Sequence, residues 1–167
     1  MRKLYKIVTN VILVVMILLV AILFLPRIFG LQPLAVLSGS MEPTYHVGSL
    51  IYVKDVDPST IEVGEPMTYR ISEDTMVTHR VIEKNEETQT FRTKGDANDT
   101  EDGGEITYSN VVGKPLMSIP LLGYVAVYTS TRTGMIVMVT AIIVVLLLTF
   151  LPDLLLGKEE KKDGGAQ

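Results

Sequence analysis

The sequence predicts a membrane-anchored all-β domain held between two transmembrane helices. Three observations predict it: an apolar run near the N-terminus, a second near the C-terminus, and between them short β-branched or aromatic runs punctuated by Gly and Pro. The chain has 167 residues, 47% of them apolar, which fits one domain plus membrane segments rather than several domains.

Residues 1–6 carry Arg2, Lys3 and Lys6 and are expected in the cytoplasm by the positive-inside bias, since a single Arg27 follows the first apolar run. That run, residues 7–25, has only Thr9 and Asn10 as polar members, and its 19 residues span roughly 28 Å as a helix. A cleaved secretory signal shares the basic start and the apolar run. Residues 7–25 exceed the usual apolar length of about 7–15 residues for such a signal, and Pro26-Arg27-Ile28-Phe29 follows with no small-x-small site, so a retained anchor is expected.

Residues 26–134 hold 9 basic and 15 acidic side chains and are expected outside the cytoplasm. Strand-like runs appear at 49–53, 67–71, 76–82 and 88–93, with a polar turn at 83–87 and breaks at Gly48, Pro58, Gly64 and Pro66. No helix-period stretch longer than a couple of turns is visible there, which makes the segment a β domain. Residues 135–151 form the second span, with Thr140 and Thr149 its only polar groups and Pro152 expected to stop it. A buried core helix is the competing reading, but the segment is apolar on every face. The charged tail, residues 152–167, carries Lys158, Lys161 and Lys162 among acidic neighbours, so both termini are expected in the cytoplasm of a cell-membrane protein.

Composition also removes function classes. With no cysteine there is no disulfide scaffold, thiolate metal site, redox thiol pair or cysteine nucleophile. Fifteen basic against nineteen acidic side chains supply no surplus cations to neutralise phosphates, so no nucleic-acid partner is expected. Two distant histidines do not make a metal-ligand set, and no cofactor is expected.

Chemistry near neutral pH most often uses a histidine base, and the chain offers only His46 and His79. Strand alternation puts His79 on one face with Val77 and Val81, where it is either a base or a core histidine bonded to a carbonyl. His46, beside Gly48, reads as a solvated loop residue. The stretch Leu37-Ser38-Gly39-Ser40-Met41-Glu42-Pro43-Thr44 begins about a dozen residues after the first span, close to the membrane. Two serines around a glycine allow a tight turn that presents one hydroxyl while N–H groups and the other hydroxyl converge, as an oxyanion hole requires; a flexible spacer is the alternative. The acidic stretch 94–102, Lys94-Gly95-Asp96-Ala97-Asn98-Asp99-Thr100-Glu101-Asp102, can supply a carboxylate to orient His79, or be a solvated turn. It lacks the ligand spacing of an EF-hand, and Asn98-Asp99-Thr100 matches a glycosylation sequon.

Taken in order behind an N-terminal anchor, SGSMEP at 38–43, HRV at 79–81 and KGDAND at 94–99 resemble the boxes of type I signal peptidases, in particular the ER-type branch found in eukaryotes, archaea and some Gram-positive bacteria. The resemblance covers about residues 33–124, including a closing strand region through Ile119-Pro120-Leu121-Leu122-Gly123-Tyr124. It implies Ser40 as nucleophile, Ser38 with Ser40 at the oxyanion, and His79 as general base where the ordinary bacterial branch has a lysine. It implies an aspartate supporting the histidine, with Asp102 slightly favoured and Asp96 a second acid of the site. It further implies secretory preproteins as substrates, cut after small residues held in shallow apolar pockets, for which Met41 and Val77 are the candidate linings. The rival reading keeps the fold and drops the chemistry: a silent membrane-anchored β domain acting as a binding or assembly module. Such a relative is expected to lose Ser40 or His79, and this chain keeps both.

Overall fold

The computed structural model describes residues 2–163; the side chains of Arg2 and of residues 153–163, and with them the expected cytoplasmic tail lysines Lys158, Lys161 and Lys162, lie outside the described residues. The elements in chain order are α1 (Arg2–Ile28), β1 (Leu31–Ala35), β2 (Leu50–Lys54), β3 (Pro66–Ser72), β4 (Thr75–Asn85), β5 (Thr90–Lys94), β6 (Ile106–Thr107), β7 (Val111–Ile119), α2 (Leu122–Ser130) and α3 (Arg132–Asp163). The chain divides into two compact units, one of residues Leu25–Val127 and one holding the remainder of the long helices.

In the first unit seven strands form an antiparallel sheet in the order β1-β2-β7-β3-β4-β5-β6. The apolar run Leu50-Ile51-Tyr52-Val53 is buried on both faces of β2, which explains why it reads as continuous rather than alternating. β7 joins the two halves, pairing with β2 through Lys114–Ile119 and with β3 through Val111 and Gly113. At that crossing Gly113 has φ +149°, and a Cβ there would sit 2.0 Å from the Lys54 carbonyl oxygen, so only glycine lets the strands approach. A core of Ile61, Met67, Tyr69, Val81 and Phe91 packs behind β3, β4 and β5. Burying such side chains contributes roughly 1.5–3 kcal/mol each and holds these three strands as one rigid plate.

Several expectations change. β1 and the two-residue β6 lack an alternating pattern of their own, and only pairing with β2 and β5 makes them strands. β4 runs on to Asn85, so the turn expected at 83–87 begins later. The closing strand region ends at Ile119: Pro120 has no N–H, Leu121 has φ +63°, and from Leu122 the chain is helical. There the Gly123 N–H donates to the Gly48 carbonyl at 2.9 Å, a contact between distant residues that no local pattern reveals.

In the helical unit both expected apolar segments are helical and longer than read. α1 begins at Arg2 rather than residue 7 and continues through Pro26, and α3 begins at Arg132 rather than residue 135. Pro152 does not stop α3. A proline there removes the N–H that the Leu148 carbonyl would accept, and the Tyr5 hydroxyl donates to that same carbonyl at 2.7 Å. Lys3–Ile28 and Arg132–Pro152 are long and apolar enough to cross a membrane. Their aliphatic side chains, among them Val15, Leu18, Ile143 and Leu147, are exposed rather than packed in a core.

Candidate active site

Ser40 lies in the segment joining β1 to β2. That segment is pinned at both ends, by Val36 N–H to the Ser49 carbonyl and Gly48 N–H to the Val36 carbonyl, each at 2.9 Å. Met41 is buried beneath it and its carbonyl accepts the Tyr45 N–H at 2.9 Å. The Ser40 carbonyl accepts the Ala97 N–H at 2.9 Å, which ties the serine to the KGD turn. A Cβ on Gly95 would fall 2.6 Å from that carbonyl oxygen, so the glycine of KGD is what allows the two segments to touch.

His79 projects from β4, opposite Met67 of β3 and only 8% exposed. Its Nε2 is 3.0 Å from Ser40 Oγ. Its Nδ1 is 2.5 Å from Asp102 Oδ2, so with Asp102 ionised Nδ1–H donates and Nε2 is left to accept the serine proton. Asp102 comes from the loop after β5, and its own N–H donates to the Thr93 carbonyl at 2.9 Å. Burial pushes the Asp102 carboxyl up, but hydrogen bonds from Thr93 and His79, the His79 charge and the Tyr69 hydroxyl outweigh it and hold the group below the usual carboxylate range. Ser38 Oγ stands 3.3 Å from Ser40 Oγ, the distance of a weak hydroxyl pair.

Asp96 is not the histidine's partner. Its two oxygens take a bidentate pair from Arg80, at 2.7 Å from Nε and 2.6 Å from the terminal nitrogen, and the Thr44 hydroxyl donates at 2.5 Å. Arg80 also donates to the Gly64 carbonyl at 2.7 Å. The residue after His79 thus binds the serine segment, the KGD turn and the β3 approach together. Arg80 hydrogen bonding lowers the Asp96 carboxyl, with burial opposing. Because this acid titrates lower folded than unfolded, its contribution to stability is complete above about pH 4 and is lost as pH falls through the folded value. Asp96→Ala leaves the guanidinium, with a third of its side chain exposed, without its counter-ion. Thermal unfolding in detergent is expected to show destabilisation by about 2 kcal/mol at neutral pH, shrinking toward zero in acid; an equal loss at all pH values would sink the account.

A groove of about 670 Å³ opens beside Ser40 and His79. It runs between β1 with the residues that follow it and the first half of β4, and Met41 and Val77 are among its walls. β5 pairs with β4 only from Arg80 onward, so β4 from Thr75 to Thr78 keeps one unpaired edge along the groove. His46 lies away from this wall, its side chain 64% exposed and paired with Glu42 one turn before it. Sequence reasoning overlooked Arg80, Thr44, Tyr69 and Thr93. Arg80 lies inside the HRV motif and Thr44 at the end of the serine-containing stretch 37–44, so these two carried a local signal, whereas Tyr69 and Thr93 stood in ordinary strand-like runs.

A serine hydroxyl and a carboxylate from two loops, bonded in series through an imidazole on the sheet, form the array from which Ser–His–Asp hydrolases are built. The chain belongs to the signal peptidase family, peptidase S26, whose family model matches residues 8–93. It is similar to signal peptidase I W of Bacillus subtilis, with 34% identity over 120 residues that cover 64% of this chain and 63% of the relative. It is also similar to the signal peptidase complex catalytic subunit SEC11C of Homo sapiens, 33% identical over 103 residues covering 55% of this chain and 54% of the relative. The subunit SEC11 of Fusarium vanettenii is 34% identical over 107 residues, 57% of this chain and 62% of the relative. The chain thus spans between about half and just under two thirds of the length of these curated relatives.

Proposed function

We propose that this protein is a signal peptidase of the ER-type branch, a membrane-bound serine endopeptidase that removes N-terminal signal peptides from secreted preproteins. The observation that carries the reading is the Ser40 Oγ to His79 Nε2 contact of 3.0 Å, continued by the 2.5 Å contact from Nδ1 to Asp102, at the wall of the groove. Serine is a weak nucleophile by itself. His79 Nε2 takes the Oγ proton as Oγ bonds to the substrate carbonyl carbon, and Nδ1–H to Asp102 stabilises the imidazolium. The Ser38 hydroxyl and the Ser40 N–H meet the oxyanion. The imidazolium then returns its proton to the departing amine, leaving an acyl-Ser40 ester. Water, deprotonated by the same histidine, attacks the ester and regenerates Ser40.

In this reading α1 and α3 cross the cell membrane as a hairpin with both termini cytoplasmic, and the β unit works outside. The bond ahead of which a signal's apolar core ends is then presented at the membrane surface. The substrate lies in the groove as an extended strand along the open edge of β4, a mode in which main-chain hydrogen bonds hold the peptide and alternate side chains enter pockets. Met41 and Val77 limit the size of those side chains. A precursor with Ala at the first and third positions before the cut is expected to be cleaved by the detergent-solubilised full chain. Replacing the first of these by Leu is expected to lower kcat/KM by roughly 100-fold. Equal rates for the two precursors, measured by mass of the released fragment, would rule out a size-limited pocket.

A further inference from the structure

Three side chains from three adjacent strands converge on one oxygen. Asp102 Oδ2 lies 2.5 Å from His79 Nδ1 on β4, 2.6 Å from Thr93 Oγ1 on β5 and 3.1 Å from the Tyr69 hydroxyl on β3. Register explains the convergence. Tyr69 pairs with Val77 and Thr93 with Val81, the two neighbours of His79 on its own face, so both side chains reach diagonally across the same plate. Thr93 is fully buried and Tyr69 is 2% exposed, beside the apolar core. Valine and phenylalanine would fill those positions with nearly the same shape, so packing does not call for the two hydroxyls. A carboxylate supplied by a loop does.

We propose that Tyr69 and Thr93 are positioning residues that fix Asp102 and share its negative charge, thereby setting how readily His79 gives up and takes back a proton. The proposal rests on Ser40, His79 and Asp102 acting as described above. Two hydroxyl donors keep Oδ2 aimed at Nδ1, so Nε2 stays the acceptor facing Ser40. They also spread the carboxylate charge, so the imidazolium is held less tightly than it would be beside a bare anion. Burial pushes the Tyr69 phenol up to about 12, so it remains a neutral donor across the working range. The other titratable groups around the pair are accounted for. Asp96 is bound by Arg80, Glu101 is bound by Arg92, and Tyr45, in the Ser40 segment, and Asp74, just before β4, line the groove.

The test is the pH dependence of kcat/KM for the Ala-containing precursor, using the full chain in detergent. Wild type, Tyr69→Phe, Thr93→Val, the double variant and Thr93→Ser are compared, with Ser40→Ala in parallel. In the double variant the acid limb is expected to move up by about one pH unit, and the rate above the limb to fall about tenfold through lost orientation. Thr93→Ser, which keeps the hydroxyl, is expected to return the limb toward its wild-type position. A general loss of packing lowers the rate without moving the limb, so a lowered rate with an unmoved limb overturns the proposal. If Thr93→Val does not fold, Tyr69→Phe alone is expected to move the limb about half as far, and no movement there overturns it as well. Unchanged cleavage by Ser40→Ala overturns the peptidase reading itself, whereas Ser40-dependent cleavage with an unmoved limb overturns only the role given to Tyr69 and Thr93.

Discussion

Ser40→Ala is expected to lower kcat for precursor cleavage by about 10⁴-fold or more, with the thermal midpoint in detergent nearly unchanged. Removing Oγ deletes the atom that bonds to the substrate carbon, and the remaining contacts can only hold the peptide. The hydroxyl's own structural share is small, since its described partners are His79 Nε2 and the weak Ser38 contact. His79→Ala is expected to cost a similar factor, because Oγ then has nowhere to send its proton. The sharper expectation concerns the double variant. Residues that act as one unit are not additive, so Ser40→Ala/His79→Ala should be no slower than either single variant within a few fold. Two losses that multiply would separate the residues into independent roles and reject the coupled mechanism.

Asp102→Asn is expected to lower kcat by about 10³- to 10⁴-fold, and Asp96→Asn by less than about tenfold. The two acids sit six residues apart in one stretch and differ only in what they face. Thr93, Tyr69 and His79 Nδ1–H all donate to the one oxygen, so an amide at 102 keeps its carbonyl oxygen there and leaves the histidine tautomer as it is. What it loses is the negative charge beside Nδ1. The imidazolium that forms as Ser40 gives up its proton is then no longer stabilised by a carboxylate. At position 96 the amide keeps one acceptor for Arg80 and loses the charge, which weakens the clamp that pins the serine segment without removing the carboxylate bonded to His79. The measurement is kcat beside the melting temperature for both variants. Asp102→Asn should be folded and slow, Asp96→Asn active and less stable, and the reverse order would reassign the histidine's partner to Asp96.

Much of this molecule is legible in its sequence, for reasons that differ by element. Two apolar segments announce themselves because a bilayer-length helix needs an unbroken run of aliphatic side chains, a condition on neighbouring residues. β2, β3, β4 and β5 were readable because β-branched and aromatic residues cluster between Gly, Pro and polar turns. β1, Leu31-Gln32-Pro33-Leu34-Ala35, has no such signature and owes its form to β2 alone. The helix α2 was hidden for the opposite reason: an apolar run after a strand looks like more strand until Leu121 turns the chain. Pro152 misled because a proline's cost in a helix depends on whether another donor reaches the orphaned carbonyl, and Tyr5 lies 143 residues away.

Ser40 and His79 were singled out through the resemblance of their short boxes to the signal peptidase family, and the folded chain brings Ser40 Oγ and His79 Nε2 to 3.0 Å. Composition excluded thiol chemistry. The choice between Asp96 and Asp102 was not in the sequence, since both acids lie in the same polar loop and a loop's local pattern does not say where its side chains point. Tertiary structure decided it through strand register. Pairing β4 with β3 and β5 puts Tyr69, His79 and Thr93 on one face, where their donors meet Oδ2 of Asp102, while Arg80, pointing the other way from the next position, takes Asp96. Hydrogen-bond partners are fixed by distance in space, and across 23 residues of chain only the folded sheet sets that distance.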